Sequence, residues 1–387
     1  MPSNATQLPL DWAHFLAHHW QRAPLLIPAA LPHWAASETV PPIDANTLAG
    51  LALEPELESR LIETTDSGWH LLHGPFVATD FERSHPWTLL VQAVDHYLPE
   101  VAELKKMFSA LPTWRMDDVM VSYATDGGSV GPHYDNYDVF LLQGEGHRRW
   151  RLGQRCGPES ALIAHEELRI LQDFECTEEF LLGPGDMLYV PPGVAHWGVA
   201  EGECTTLSIG FRAPSVEDLL SRRIDAQLEV LPQEQFYRDP YASIATRAGE
   251  IRDEDIARLN EQLAEHLQRF ASAQWFGELV TEPRYDLAVD TQQVLAHAQR
   301  LALGANTVAL APEARVAWQA LSSGQICVYA NGQSRAFSCG VLTPLSTLCS
   351  GEALGALALE GSVQQSVKND LPELLSWLLE CGCLDVE

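Results

Sequence analysis

The stretch GSVGPHYDNYDVFLLQGEGHRRWRLG, residues 128–153, places a histidine and an aspartate two positions apart, at His133 and Asp135. On a β-strand, residues i and i+2 point to the same side, so both side chains can project together into a barrel interior. Gly127 and Gly131 permit a tight approach of the backbone, and an apolar strand, DVFLLQG, follows. The pair alone is also compatible with a polar turn that contains a histidine, so a third ligand is needed to decide.

A second segment, GPGDMLYVPPGVAHWGV at residues 183–199, supplies that third candidate. It reads as a turn at Gly185, a short apolar strand, a proline-glycine corner, and His196 entering the next strand. In a barrel, such a corner returns the chain to the interior, where His196 can meet His133 and Asp135. Two histidines and one carboxylate with open coordination positions form the facial triad of non-haem Fe(II) oxygenases, whereas a closed zinc site usually adds a fourth ligand.

The pattern of apolar, glycine and proline residues changes twice along the chain. Residues from about 60 to 212 are short apolar runs broken by glycine and proline, which predicts an antiparallel β-sandwich or barrel. After Pro214 the pattern is helical, with a capping box at Ser215–Asp218 and an amphipathic helix predicted over 253–275. Apolar stripes on such helices favour contacts between subunits, and packing on the chain's own sheet is the alternative.

The last part of the chain, residues 276–387, mixes helix-like pieces with a hairpin signal at Asn331-Gly332, and these are the ingredients of a winged helix. This segment holds five basic and twelve acidic residues, and the 387-residue chain carries a formal net charge of −29. Because nucleic-acid binding needs clustered Lys and Arg, we expect a protein-interaction module and no direct nucleic-acid binding.

The cellular setting is predicted from what the sequence lacks. Its eight cysteines contain no C-x2-C pair, which argues against a zinc ribbon. The first residues lack the basic and apolar regions of a signal peptide, and no uncharged apolar run is long enough to span a bilayer. We therefore expect a cytoplasmic protein with reduced thiols and no membrane contact.

Together, the two segments follow the cupin pattern, with a glycine six positions before the first histidine (127–133) and G-x5-P-x-G-x2-H at 185–196. An ordinary metal cupin has H-x-H followed by a glutamate. Here Asp135 replaces the second histidine, and apolar residues stand where the glutamate would be. In this form the chain resembles the JmjC branch of 2-oxoglutarate oxygenases, and GPHYDNYDVFLLQGEGHRRWRLG closely resembles bacterial ribosomal oxygenases, which hydroxylate an arginine of a large-subunit ribosomal protein.

This resemblance implies a mainly β fold with helices. It predicts a double-stranded β-helix (a cupin or jelly-roll barrel) as the JmjC catalytic domain over 1–212. A helical region over 213–275 would form a homodimer, and a winged-helix-like domain would occupy 276–387. The implied cofactor is Fe(II), with 2-oxoglutarate and O2 as co-substrates. The implied partner is a basic ribosomal protein, which an acidic surface would attract.

Carried over onto this sequence, the resemblance assigns Fe(II) binding to His133, Asp135 and His196. Arg148 would bind the distal carboxylate of 2-oxoglutarate, because a guanidinium is a permanently charged, bidentate partner for a carboxylate. Ser122 would add a hydroxyl to the same carboxylate. The alternatives are a surface position for Arg148 and ordinary packing for Ser122.

The substrate side rests on strand parity. In WRMDDVMVSYA, Asp118 shares a strand face with Ser122 and can hold the guanidinium of a substrate arginine. Tyr137 has the same parity as His133 and Asp135 and can line the pocket. Ordinary barrel packing is the alternative for both.

Two other functions stay open at this point. One is a JmjC oxygenase that acts on another protein residue, such as histidine or methyl-lysine. The other is a non-catalytic metal-binding cupin that is coupled to a winged helix as a regulator. The second predicts a basic recognition helix, which the charge count opposes.

Overall fold

The computed structural model describes residues 8–66, 68–240, 242–244, 247–269, 273–284, 291–303, 307–355 and 370–386. Within residues 25–211, two antiparallel sheets face each other. Their strands are β1 (Leu25–Ile27), β2 (Ser59–Thr65), β3 (Gly68–His73), β4 (Trp87–Val91), β5 (Met116–Ala124), β6 (Asp138–Gln143), β7 (His147–Arg155), β8 (Glu178–Leu182), β9 (Met187–Val190), β10 (Val194–Glu201) and β11 (Cys204–Phe211).

The larger sheet has eight strands in the order β1-β9-β6-β11-β5-β4-β2-β3, and the smaller has three in the order β10-β7-β8. Strand β6 lies inside the larger sheet and is buried on both faces: Phe140 and Leu142 join one apolar cluster, whereas Val139 and Leu141 join another. This explains why its sequence is a continuous apolar run and does not alternate. The predicted double-stranded β-helix is confirmed.

Short helices cover the outer face of the larger sheet. They are α1 (Trp12–His18), α2 (Pro32–Ala35), α3 (Ala45–Leu51) and α4 (Pro99–Ala102), with 3-10 turns at Ala78–Phe81, Val94–His96, Glu103–Phe108 and Thr113–Arg115. Aromatic rings hold this layer to the sheet: Phe15 stands edge-on to Tyr189, with ring centroids 4.9 Å apart, and Phe108 lies 4.7 Å from Phe140. The inner face of the same sheet is thereby left to line a cavity.

Two long helices follow, α5 (Val216–Val230) and α6 (Asp253–Arg269). The predicted capping box is present at the start of α5, where the Asp218 amide donates to Ser215 Oγ at 3.0 Å and the Ser215 amide donates to Asp218 Oδ2 at 3.1 Å. Of the amphipathic helix predicted over 253–275, the structure describes α6 to Arg269 and a helix α7 (Gln274–Thr281) from Gln274, and residues 270–272 lie outside the described residues. Helix α7 packs against the barrel domain, where Phe276 stands edge-on to the ring of Trp114.

The C-terminal part contains α8 (Thr291–Leu303), β12 (Thr307–Leu310), β13 (Val316–Ala320), β14 (Gln325–Ala330), β15 (Gln333–Ser338), a 3-10 turn (Cys339–Val341), α9 (Leu342–Cys349), β16 (Leu354–Gly355), α10 (Asp370–Glu380) and β17 (Leu384–Val386). Its sheets are β13-β14-β15 and β16-β12-β17. The predicted hairpin is confirmed, because Asn331 and Gly332 join β14 to β15 with φ of 43° and 79°. Positive φ at both positions is what a type I′ turn requires.

The C-terminal part is tied to the barrel by partly buried polar contacts. Arg315 donates to Asp117 Oδ1 and to the Met116 carbonyl, both at 3.0 Å, and Arg212 donates to the Glu282 carbonyl at 2.7 Å. Strand β5 therefore has its first residues held by the C-terminal part and its later ones inside the barrel. Among the described helices, none is both long and apolar enough to cross a membrane.

Candidate metal and co-substrate site

Three potential metal ligands converge in the barrel, although the chain separates them by about sixty positions. One ligand atom each from His133, Asp135 and His196 lies within 4.8 Å of the other two. His196 Nε2 is 3.6 Å from Asp135 Oδ2, and the two imidazole centroids are 4.3 Å apart. These separations are compatible with three ligands on one face of a single cation, with its other positions open.

The hydrogen bonds of the two imidazoles fix which nitrogen faces the shared centre. His133 Nδ1 lies 2.9 Å from the Gly131 carbonyl oxygen, and His196 Nδ1 lies 3.0 Å from the Val194 carbonyl oxygen. A carbonyl only accepts, so Nδ1 carries the proton in both rings and Nε2 keeps its lone pair. A backbone carbonyl that orients an imidazole in this way is the usual outer support of a metal ligand. Burial lowers the pKa of His196 to about 4, which keeps that ring neutral.

The local backbone differs from the strand that the sequence predicts. His133 forms a single antiparallel bridge with His196, in which the two amide and carbonyl groups bond at 2.8 and 3.0 Å, and Asp135 and Tyr137 precede β6 without belonging to it. The Asp135 carbonyl instead accepts from the Gly193 amide at 2.8 Å. The predicted strand parity across 133–137 is therefore wrong as a description of the backbone, and the two segments hold each other directly.

Arg148 crosses the interior between the two sheets. It lies on β7 of the smaller sheet, is only 3% exposed, and donates from Nη1 to Ser122 Oγ and Thr206 Oγ1 of the larger sheet, each at 3.2 Å. Its Nε has no partner, and no Asp or Glu side chain of the described residues pairs with its guanidinium. Burial lowers the pKa of Arg148, which reflects the cost of a desolvated charge. The surface alternative for this arginine is wrong.

All seven residues singled out from the sequence line one cavity of about 280 Å3. Asp118 is buried on its wall and accepts a hydrogen bond from the Ala93 amide at 3.2 Å. Burial, together with the neighbouring charge of Asp117, raises the pKa of Asp118 to about 6. Tyr137 is 44% exposed, so it lies at the mouth of the cavity.

Sequence reasoning missed two residues of the arginine site. Thr206, on β11, holds Arg148 as closely as Ser122 does and lies directly opposite Ser122 in the sheet. Gly198 leaves the space that the arginine fills, because a Cβ at this position would lie 3.0 Å from Arg148 Nε and 2.8 Å from the Trp150 ring. The signal for Gly198 was present, since a glycine inside a strand marks a close approach of another group.

Comparison with known proteins gives the following matches. Residues 103–219 match the JmjC domain family, residues 254–384 match the ROXA-like winged helix, and residues 176–282 match the AraC-like ligand binding domain. The chain is 38% identical over 284 residues to the ribosomal protein uL16 3-hydroxylase of Escherichia coli, which covers 73% of this chain and 74% of that protein. It is 34% identical over 304 residues to a probable ribosomal oxygenase of Haemophilus influenzae, covering 72% and 70%.

The fold is also shared with a solved structure. The ribosomal oxygenase YcfD from Escherichia coli, in complex with cobalt and 2-oxoglutarate, superposes with a TM-score of 0.80 at 32% sequence identity, and the match covers 98% of this chain and 99% of that one. The match therefore extends over the barrel and the C-terminal part of this chain together, and the matching protein was solved in complex with cobalt and 2-oxoglutarate.

Proposed function

This chain belongs to the JmjC-domain ribosomal oxygenases, and from that membership and the site described above we propose that it hydroxylates an arginine of a large-subunit ribosomal protein. It is an Fe(II)- and 2-oxoglutarate-dependent oxygenase whose substrate is a ribosomal protein. The protein uL16, on which the Escherichia coli relative acts, is the first substrate to test. The choice of arginine, and the role of each site residue, are the proposal.

One observation carries the proposal most directly: a buried arginine without an acidic partner faces the same cavity as a His-Asp-His cluster. A guanidinium in that environment is costly unless an anion comes to it. A dicarboxylate that binds the metal at one end and Arg148 at the other meets both requirements. A metal-binding regulator has no use for Arg148 in this position, so the observation favours the enzyme over that alternative.

Iron, when bound, supplies the oxidising chemistry that couples O2 reduction and loss of CO2 from 2-oxoglutarate to insertion of oxygen into a C–H bond. The chain's own residues hold and orient the reactants. His133, Asp135 and His196 would hold the ion. Arg148, with its orientation fixed by Ser122 and Thr206, binds the distal carboxylate of the co-substrate. Apolar walls such as Trp150 limit the entry of water.

The substrate side is proposed from the buried carboxylate of Asp118. Asp118 lies on β5, four residues before Ser122, and both side chains line the cavity. A carboxylate there can pair with a substrate guanidinium and present the side-chain carbons to the oxidising centre, whereas a neutral histidine would leave the charge unpaired. Tyr137, at the cavity mouth, can pack along the aliphatic part of the same side chain.

The test incubates the purified chain with Fe(II), 2-oxoglutarate and uL16, and maps any added oxygen by tandem mass spectrometry. We expect a mass gain of one oxygen atom on one arginine, which is absent in His133→Ala. As a matched control, His147→Ala changes an exposed histidine on β7, the strand that carries Arg148, and should retain activity. Oxygen on a histidine, or loss of a methyl group from lysine, would replace the arginine proposal. No gain on any ribosomal protein would refute it altogether.

The homodimer is proposed from two exposed apolar stripes. On α5 the exposed side chains recur every fourth position, and α6 carries a second set; they are Val216, Leu220, Ile224, Leu228, Ile256, Leu259, Leu263 and Leu267. The helices are neighbours, since Arg223 of α5 donates to the Leu267 carbonyl at 2.7 Å. A contiguous apolar surface of this kind on a charged protein is typical of a subunit contact.

The domain limits 1–212, 213–275 and 276–387 remain predictions. So does the absence of direct nucleic-acid binding, which the net charge of −29 supports. A cytoplasmic location is proposed because ribosomal proteins are made there. An acidic surface would attract a basic ribosomal protein before its assembly and would repel the ribosomal RNA that later covers it.

A further inference from the structure

A second arginine reaches the substrate-side carboxylate from the C-terminal part of the chain. Arg284 follows α7, and its Nη1 lies 3.4 Å from Asp117 Oδ2 and 3.7 Å from Asp118 Oδ2. It lines the same cavity as the His-Asp-His cluster. Nothing in the proposed reaction uses this residue, although its guanidinium is the chemical group that the substrate would bring to Asp118.

The carboxylates of Asp117 and Asp118 differ in how closely cationic side chains approach them. Asp117 receives a 3.0 Å hydrogen bond from Arg315, and Arg212 Nε lies 3.8 Å away. The only cationic side chain that lies within 4 Å of Asp118, among the described residues, is Arg284. Its 3.7 Å separation is well beyond the roughly 2.7–2.9 Å of a strong charge-assisted hydrogen bond. Arg315 is therefore a fixed structural partner, whereas Arg284 is a loose one.

The chain just before Arg284 is anchored, and open space lies beside the Arg284 side chain. Two residues before Arg284, the Glu282 carbonyl accepts a hydrogen bond from Arg212. The Gly332 amide donates to Thr281 Oγ1 at 3.3 Å. The Arg284 side chain itself is 40% exposed. A second cavity of about 400 Å3, between the barrel and the C-terminal part, shares Asp117, Asp118 and Arg284 with the first and offers space for the displaced group.

We propose that Arg284 is an internal competitor for the substrate: its guanidinium neutralises Asp118 in the resting enzyme, and the substrate arginine displaces it on binding. The exchange replaces one cation by another, so the buried carboxylate keeps a counter-ion in both states. Arg284 thus sets the substrate affinity and links occupation of the site to the C-terminal part. This inference rests on the proposed function, because it takes Asp118 as the binding point of the substrate guanidinium.

The experiment measures the KM for uL16 and the KM for 2-oxoglutarate in Arg284→Gln and in the wild-type enzyme. Removal of the competitor should lower the KM for uL16 about two- to fivefold, the range expected for loss of a partly exposed ion pair, and leave the KM for 2-oxoglutarate unchanged. Arg284→Lys keeps the charge and should stay near the wild-type value. The matched control is Arg335→Gln, which removes a similarly exposed arginine that pairs with Glu373 on the C-terminal part.

An unchanged or raised KM for uL16 in Arg284→Gln would overturn the inference, since a residue that only supports the structure can weaken binding but not strengthen it. Should the glutamine variant fail to fold, Arg284→Met keeps the aliphatic stem and serves in the same assay. If the wild-type enzyme modifies no ribosomal protein, the proposed function fails and this inference falls with it. If the wild-type enzyme is active and only the KM shift is missing, the inference alone fails.

Discussion

Replacement of Arg148 by methionine should stabilise the protein that has no ligand and abolish its response to 2-oxoglutarate. The arginine is 3% exposed, has no acidic partner among the described residues, and leaves Nε without a hydrogen bond. Methionine has a similar length and no charge to desolvate. The two hydroxyl groups that Arg148 contacts keep other acceptors, since Ser122 Oγ is 3.5 Å from the Thr206 carbonyl and Thr206 Oγ1 is 3.2 Å from Gln143 Oε1.

The magnitude follows from opposing contributions. Replacement of buried ionic groups by apolar ones of similar volume changes the free energy of unfolding by between zero and about 4 kcal/mol in the stabilising direction. This range is a net effect that already includes the hydrogen bonds lost with the ionic group, and we expect a gain near its lower end, about 1 kcal/mol. For a domain of roughly 200 residues, this raises the Tm by about 2–4 °C.

The effect on the co-substrate has the opposite sign. Truncation of one partner of a buried charge pair costs about 2–5 kcal/mol of binding free energy, so the Kd for 2-oxoglutarate should rise from about 30-fold to several thousand-fold. Thermal unfolding with and without 2-oxoglutarate and a metal measures both effects on one sample. The wild-type Tm should rise on addition of 2-oxoglutarate, and that of Arg148→Met should not.

The control is Arg149→Met, on the same strand but facing outward, where Arg149 pairs with Glu179 and Glu201. It should change neither the Tm of the ligand-free protein nor the response to 2-oxoglutarate by much. The reasoning is refuted if Arg148→Met retains the wild-type affinity for 2-oxoglutarate, or if it unfolds well below the wild type. Either result would mean that the buried guanidinium serves the fold and not the co-substrate.

Three further predictions follow from the same geometry. Gly198→Ala should raise the KM for 2-oxoglutarate by about tenfold, because overpacking of about 1–3 kcal/mol is imposed beside the Arg148 guanidinium; an unchanged KM would show that the strand yields instead. The affinity for uL16, measured by fluorescence anisotropy, should rise as the pH is raised through about 6, because Asp118 must be ionised to bind a guanidinium, and Asp118→Asn should flatten this profile. Leu220→Glu should convert a dimer to a monomer in light scattering, and a variant that remains dimeric would exclude α5 from the subunit contact.

Much of the barrel and the metal cluster could be predicted, because the information is local. A proline and two glycines predict the corner that precedes His196. Asn331 and Gly332, which both accept positive φ, predict the hairpin. Asp118 and Ser122 both line the cavity, as predicted, although the pairing of β5 with β11 shifts register opposite Asp117 and Asp118. Parity failed around Asp135, where the chain is held by a single bridge and not by a ladder.

What could not be predicted depends on contacts between distant segments. Thr206 is an ordinary strand threonine until the sheet sets it opposite Ser122, and no local pattern indicates that it will meet Arg148. Arg284 and Arg315 lie far along the chain from strand β5, and only the docking of the C-terminal part brings them to Asp117. The charge count gives the sign of the net charge of the C-terminal part, but it does not give the positions of the few cationic side chains there.

The cavity combines one buried cation and one buried anion, and neither has a tight partner of opposite charge within the described chain. Direct pairing of Arg148 with Asp118 would offset part of both desolvation costs, yet the protein holds the two residues on different strands. Arg148 contacts two hydroxyl groups instead, and Asp118 contacts one amide and a distant guanidinium. Stability is therefore given up at the two positions where a dicarboxylate and a cationic side chain are proposed to bind. Because 2-oxoglutarate supplies the counter-ion that Arg148 lacks, and the substrate replaces the distant partner of Asp118 with a closer one, binding of either should stabilise the fold more than its contact area alone would suggest. The two stabilising effects should also be nearly additive, because Arg148 and Asp118 lie on separate strands and share no hydrogen-bond partner.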